Sequence, residues 1–175
     1  HPTAKNRGKM TYLSCIRSLI WLFTPFFFFL GSMSANAAPS CSPLLSHTFL
    51  RLQDEAPQNL CQYQGKVILV VNTASFCGYT YQYEGLEKLH AAKSAAGLTV
   101  VGVPSGDFNQ ESADDKAVKD FCETRFGIDF PLAAISRVKG PNAAPFYAWV
   151  KAQRGWEPAW NFNKVLVGRD GRIAG

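Results

Sequence analysis

Lys66-Val67-Ile68-Leu69-Val70-Val71-Asn72 is an unbroken apolar run rich in β-branched residues, and Leu98-Thr99-Val100-Val101-Gly102-Val103 repeats the pattern further along. Strands buried on both faces read this way, because neither face meets water. Between the two runs, residues 84–96 have helical character. Leu86, Leu89 and the stem of Lys93 fall on one face, and Gly97 follows as the residue that lets a helix end in a left-handed turn. Strand, helix and strand in this order predict a parallel pair with a right-handed crossover.

Working outward, residues 105–111 form a polar, glycine-containing loop at the end of the second run. Ser112, with Asp115 three residues on, reads as an imperfect capping box for a helix reaching about Arg125. Val118, Phe121 and Cys122 share its buried face. Phe130-Pro131-Leu132 is extended, and Pro145 suits the first turn of a short helix reaching Ala152. Residues 164–167 and 172–174 flank Gly168-Arg169-Asp170-Gly171, a β-hairpin signal. On the amino-terminal side, residues 48–52 suit a short strand, and residues 61–65 a turn into the first apolar run. The order β-α-β-α-β-β predicts an α/β, thioredoxin-like fold, a central mixed sheet flanked by helices. That fold has one more helix after the hairpin. The sequence stops at Gly175, so the C-terminal helix is expected to be missing and residues 38–175 to form a C-terminally truncated domain.

The chain has 175 residues, 47% hydrophobic and 18% charged, which suits one domain plus a processed segment. Its net charge of +5 is not spread evenly. Lys5, Arg7, Lys9 and Arg17 meet no acid before residue 38, so the remainder is close to neutral. Nucleic acid is not an expected partner, since phosphate binding needs a basic face. Residues 1–9 read as upstream sequence, with Met10 as the start of a signal peptide over 10–37. Arg17 supplies its positive end. Residues 19–30 (LIWLFTPFFFFL) are shorter than the roughly 18–20 residues that cross a bilayer as a helix. Ala35-Asn36-Ala37 fits a cleavage site. The alternative is an uncleaved anchor. Cleavage would leave an exported, periplasmic or secreted domain with no stable membrane span. Four cysteines follow the leader: Cys41, Cys61, Cys77 and Cys122, open to three pairings. There is no Cys-x-x-Cys pair and few histidines, so no metal site is expected, and no cofactor.

Asn72-Thr73-Ala74-Ser75-Phe76-Cys77-Gly78-Tyr79-Thr80 carries one thiol at the carboxyl end of a buried parallel strand, just ahead of a helix. Open α/β sheets bind ligands at strand carboxyl ends. A helix start offers unpaired N–H groups and partial positive charge, which favour thiolate over thiol. Thr80 stands where a dithiol oxidoreductase would carry its second cysteine. Taken alone, Cys77 reads equally well as a buried structural cysteine.

Three segments in order resemble the glutathione peroxidase family in its cysteine form. They are residues 65–80 with their continuation Gln82-Tyr83-Glu84-Gly85-Leu86, then Gly102-Val103-Pro104-Ser105-Gly106-Asp107-Phe108-Asn109-Gln110-Glu111, and then Trp160-Asn161-Phe162-Asn163-Lys164-Val165. The resemblance runs from about Leu44 to Gly175 and implies a thioredoxin-like hydroperoxide reductase, acting in the response to oxidative stress. It implies that the Cys77 thiolate attacks a peroxide oxygen and becomes a sulfenic acid. It implies Trp160 and Asn161 as hydrogen-bond donors, although alone they read as a core aromatic and a turn residue. The chain departs from the family at one point. Where the family's second motif usually has a catalytic Gln, matching Pro104 and Phe108 puts Asp107, whose ionised form would repel a thiolate. The loop is one residue short there. Gln110 is a possible amide substitute, although it matches a later Gln of the motif better.

Cys122, in Phe121-Cys122-Glu123-Thr124-Arg125-Phe126, resembles the resolving cysteine of thioredoxin-dependent members. It would condense with oxidised Cys77, and its helix would unwind locally to bring the two Cα atoms to about 5.5–6 Å. The implied partners are a hydroperoxide and, as reductant, a thioredoxin-like dithiol protein or glutathione. Cys41 and Cys61 are then left over and read as a structural disulfide. The short segment 130–145 resembles the compact, usually monomeric branch with an open site, which suits bulky hydroperoxides. Two other readings are a non-catalytic exported redox sensor or binding protein, and a disulfide exchanger, which Thr80 disfavours.

Overall fold

The computed structural model describes residues 40–175. Residues 1–9 and the leader read at 10–37 lie outside the described residues. Two short strands come first, β1 (Thr48–Leu50) and β2 (Pro57–Asn59), paired as an antiparallel hairpin. β3 (Val67–Thr73) is the middle strand of a three-stranded mixed sheet. β4 (Leu98–Pro104) runs parallel to it, with Val67 opposite Leu98 and Thr73 opposite Pro104. α1 (Gln82–Lys93) is the crossover between them. After β4 come α2 (Asp115–Phe126) and α3 (Pro145–Arg154). The last strand, β5 (Lys164–Val167), closes the other side of β3 in antiparallel sense.

The two-residue period of the strands divides the core. Ile68, Val70, Val101, Val103, Val165 and Val167 pack with Phe146, Tyr147 and Val150 of α3 on one face. Val71 and Val100 pack on the other face with Tyr83 and Leu86 of α1 and Val118 and Cys122 of α2. Helices thus cover both faces of a mixed sheet, the layering of a thioredoxin-like fold. Burying each valine stabilises this arrangement by about 1.5–3 kcal/mol over leaving it in water. The free edge of β4 is covered by the extended 130–133 segment, where Gly102 N–H donates to Pro131 O (2.9 Å) and Ala133 N–H to Gly102 O (2.8 Å).

Several local expectations need correcting. Lys93 is exposed and contributes no stem to the core. Tyr83 does so instead, its ring 5.4 Å from that of Phe126 and 5.5 Å edge-on to that of Phe162. α2 is capped by Asp114, whose carboxylate accepts Lys116 N–H at 3.0 Å, and not by a box starting at Ser112. The Ser112 hydroxyl accepts the N–H of Asp114, and the Ser112 N–H donates to Glu111 Oε1. The 168–171 turn forms as expected, with Gly168 N–H donating to Arg172 O, and the return segment meets β5 through the Val167–Ile173 bridge and through Leu166, whose N–H donates to Gly175 O (2.6 Å) and whose carbonyl accepts Ala174 N–H (2.7 Å). Cys41 and Cys61 are joined as a disulfide, Cα atoms 5.6 Å apart. Among the described residues no helix is long and apolar enough to cross a membrane.

Candidate active site

β3 ends at Thr73, and the chain then breaks into successive tight turns before α1. Thr80 N–H donates to Cys77 O, and Gln82 N–H to Tyr79 O. Cys77 therefore sits in the turns that lead into the helix, a step ahead of α1 itself. Thr80, at the position of an absent second cysteine, pins this loop. Its hydroxyl accepts Cys77 N–H (3.0 Å) and donates to Ala74 O (2.9 Å). Tyr79 N–H points at the Cys77 sulfur, 3.4 Å away. Cys77 is a free thiol and largely buried, while Phe76, Tyr79 and Tyr81 around it are exposed.

Asn72, buried near the end of β3, stitches on a segment from far along the chain. Its side-chain amide donates to Trp160 O (2.9 Å), its carbonyl accepts Phe162 N–H (2.6 Å), and its N–H donates to Asn163 O (3.2 Å). Phe162 takes a left-handed φ of 62°, a conformation that costs a bulky residue roughly 1–3 kcal/mol and is tolerated where tertiary contacts fix it. Lys164 Nζ adds a strut between Gln82 of α1 (2.8 Å) and Phe162 O (2.6 Å). Trp160 and Asn161 are thereby held at the carboxyl end of β3.

The loop after β4 is the third segment. Ser105 N–H donates to Thr73 O, and Phe76 N–H donates to Gln110 O at 3.0 Å. The Asn161 side-chain amide then donates to Gln110 Oε1 at 2.9 Å. The cysteine loop, Gln110 and Asn161 are thus linked by two hydrogen bonds. Asn161 is buried, with its Oδ1 unpaired. The Trp160 indole packs on Phe108, ring centres 5.3 Å apart, and stays 44% exposed, so it is open to an incoming molecule.

Asp107 is occupied elsewhere. Its Oδ2 accepts Val138 N–H (2.7 Å) and Lys139 N–H (3.1 Å), and its Oδ1 lies 3.3 Å from the Arg137 guanidinium. Its side chain is 4% exposed. The carboxylate holds the 137–139 loop, and the amide beside Asn161 belongs to Gln110. Matching Phe108 to the family motif, through a loop read as one residue short, put Asp107 at the amide position, and its carboxylate is engaged by the 137–139 loop.

Cys122 is a second free thiol, fully buried on α2 in the same hydrophobic cluster as Cys77. Burial, and more weakly the Glu111 and Glu123 carboxylates, push it up to about 11, against the opposing effect of the Tyr83 hydroxyl. Phe76 and Phe121, each next to one of the two cysteines, have rings 6.3 Å apart. Four buried polar groups in this half of the molecule were not announced by the sequence. Thr73 Oγ1, Ser75 Oγ, Tyr83 OH and Glu111 Oε2 are all buried without a hydrogen bond of good geometry. Burial also raises the Glu111 carboxyl.

The layers and the single-thiol loop define a thioredoxin-fold oxidoreductase. The fold is shared with the secreted Mycobacterium tuberculosis disulfide oxidoreductase homologous to E. coli DsbE, at a TM-score of 0.54 and 20% identity over 75% of this chain and 82% of that one. Closer likeness narrows the class. The glutathione peroxidase family model matches residues 46–151. The hydroperoxy fatty acid reductase gpx1 of Synechocystis is 42% identical over 131 residues, 69% of this chain and 78% of its own length. The glutathione peroxidase-like peroxiredoxin gpx1 of Schizosaccharomyces pombe is 41% identical over 126 residues, 69% of this chain and 80% of its own. The crystal structure of Trgpx in apo form superposes at a TM-score of 0.59 with 32% identity, covering 77% of this chain and 83% of that one. The chain belongs to the glutathione peroxidase family and is a peroxidase, an oxidoreductase.

Proposed function

We propose that the protein reduces organic and lipid hydroperoxides, as well as hydrogen peroxide, through the thiolate of Cys77. The observation that carries this reading is a lone free thiol at the carboxyl end of β3, with Tyr79 N–H on its sulfur and its loop tied to the Gln110–Asn161 amide pair. The sulfur attacks the terminal peroxide oxygen and the O–O bond breaks. Cys77 becomes a sulfenic acid, and the departing oxygen takes a proton to leave as water or an alcohol. The Trp160 indole N–H and the Asn161 amide supply donors for that departing oxygen. Gln110 takes the positioning part that matching had given to Asp107.

Cys122 completes the cycle. Its sulfur attacks Cys77, the S–O bond breaks, and the hydroxide leaves as water with the thiol proton. A thioredoxin-like dithiol protein then reduces the disulfide by exchange, with glutathione as the alternative donor. The protein works as a monomer in an exported, periplasmic or secreted setting, as the leader implies. Mass spectrometry after one equivalent of peroxide tests the scheme. A Cys77–Cys122 link is expected. A sulfenic acid persisting on Cys77 would transfer the resolving step to an external thiol.

A further inference from the structure

Asp107 and its neighbour Phe108 meet the same residue in two ways. The Asp107 carboxylate accepts the N–H of Lys139 at 3.1 Å, and the Lys139 side chain returns over the ring of Phe108, its Nζ 4.3 Å from the ring centre. Phe108 is buried and packs in turn on the Trp160 indole, ring centres 5.3 Å apart. An ammonium and an aromatic face attract one another within about 6 Å, more strongly where water is displaced. Lys139 is half-buried and makes no ion pair among the described residues. Glu157, which interacts with it electrostatically, is paired with Lys151 at 2.8 Å and accepts Gly140 N–H at 3.1 Å. The Trp160 backbone is fixed from elsewhere, its carbonyl by Asn72 and its N–H by Asn163 Oδ1 at 3.4 Å. Those bonds do not set the direction of an exposed indole, and Phe108 is the ring that lies against it.

We propose that Lys139 is a positioning residue of the peroxidase reaction, holding Phe108 against Trp160 so that the indole N–H stays turned to the oxygen that leaves at Cys77. The inference rests on the reading above, in which Trp160 is a donor, and deepens it. A donor out of place does nothing for the departing oxygen, so the rate follows the fraction of molecules with the ring in position. Phe108 alone offers a face along which the indole can slide. The ammonium ties that ring to the 137–139 loop, which Asp107 holds by two N–H groups. A neutral side chain of similar length would keep the packing and lose the tie. Arginine would keep both, since a guanidinium also stacks on an aromatic face.

A double-mutant cycle tests this, reading the second-order rate constant for oxidation of Cys77 by hydrogen peroxide after rapid mixing. Lys139→Met should lower that constant about fivefold, and Lys139→Arg should restore most of it. Trp160→Phe should lower it about a hundredfold. In the Trp160→Phe background, Lys139→Met should change nothing further, because the indole through which Lys139 acts is gone. An undiminished effect of Lys139→Met in that background would overturn the proposal, since Lys139 would then act on the sulfur or on the fold at large. A wild-type rate in Lys139→Met alone, or a rate in Lys139→Arg as low as in Lys139→Met, would overturn it too. Trp160→Phe reacting at the wild-type rate would instead sink the donor reading, and the proposal with it. Absence of Cys77 oxidation in the wild type would sink the peroxidase reading itself.

Discussion

Replacing Asp107 separates a strut from a catalytic carboxylate. In Asp107→Ala the N–H groups of Val138 and Lys139 lose an almost wholly buried acceptor. Hydrogen bonds to a charged group contribute about 1.5–3 kcal/mol each, and the pair shares one oxygen, so a loss of about 3–4 kcal/mol is expected. In Asp107→Asn an oxygen remains for both N–H groups, and only the ion pair to a mostly exposed Arg137 is lost, at about 1 kcal/mol or less. With a urea slope of about 2 kcal/mol/M, the unfolding midpoint should fall by about 1.5–2 M for the alanine and about 0.5 M for the asparagine. Peroxide consumption by Asp107→Asn should stay within about threefold of wild type, with the loss counted as a ratio of kcat/KM. A well-folded Asp107→Asn that lost about a hundredfold or more in kcat/KM would refute the strut and return the carboxylate to the sulfur.

Three other outcomes are expected. Gly102→Ala would put a Cβ 2.5 Å from Leu132 Cδ2 and 3.1 Å from Phe130 Cε2, so equilibrium denaturation should show a loss of about 1–3 kcal/mol. Cys61→Ser opens a bridge spanning 20 residues and should cost about 3 kcal/mol, while reductant should lower the stability of wild type to the same level and leave the variant unchanged. Because burial holds the Cys122 thiol up at about 11, its neutral form favours the folded state. That contribution is whole below the unfolded thiol's ordinary pKa of about 8.5 and is lost as pH rises through about 11, roughly 2–3 kcal/mol in all. Denaturation curves across this range should therefore fall more steeply for wild type than for Cys122→Ala, the difference removing the contribution of the buried tyrosines.

The parallel pair and its crossover were legible because β3 and β4 are buried on both faces and spell this out in unbroken apolar runs. Cys77, Trp160 and Asn161 were legible as motif positions, and the structure adds how they are held. What escaped depends on partners distant in sequence. Asn72 gives no sign that it clamps residues 160–163, and Thr80 reads as a missing cysteine before it reads as the pin of the loop. Nothing in the sequence shows that the Asp107 carboxylate turns to the 137–139 loop while the Gln110 side chain meets Asn161, because both partners are distant in sequence. Tyr83 was passed over in favour of the Lys93 stem, since a helical period alone does not say which end of a face the neighbouring aromatics will cover. Pro57-Gln58-Asn59 has no strand propensity and pairs only because β1 lies against it.

One measurement bears most directly on the sulfur at the end of β3. Hydrogen peroxide consumption would be followed with wild type and Cys77→Ser at equal folded concentration, together with trapping of sulfenic acid on the protein. The wild type should turn over and carry the trapped adduct on Cys77, and the variant should do neither. Equal consumption by both proteins, or an adduct found on Cys122 instead, would contradict the account.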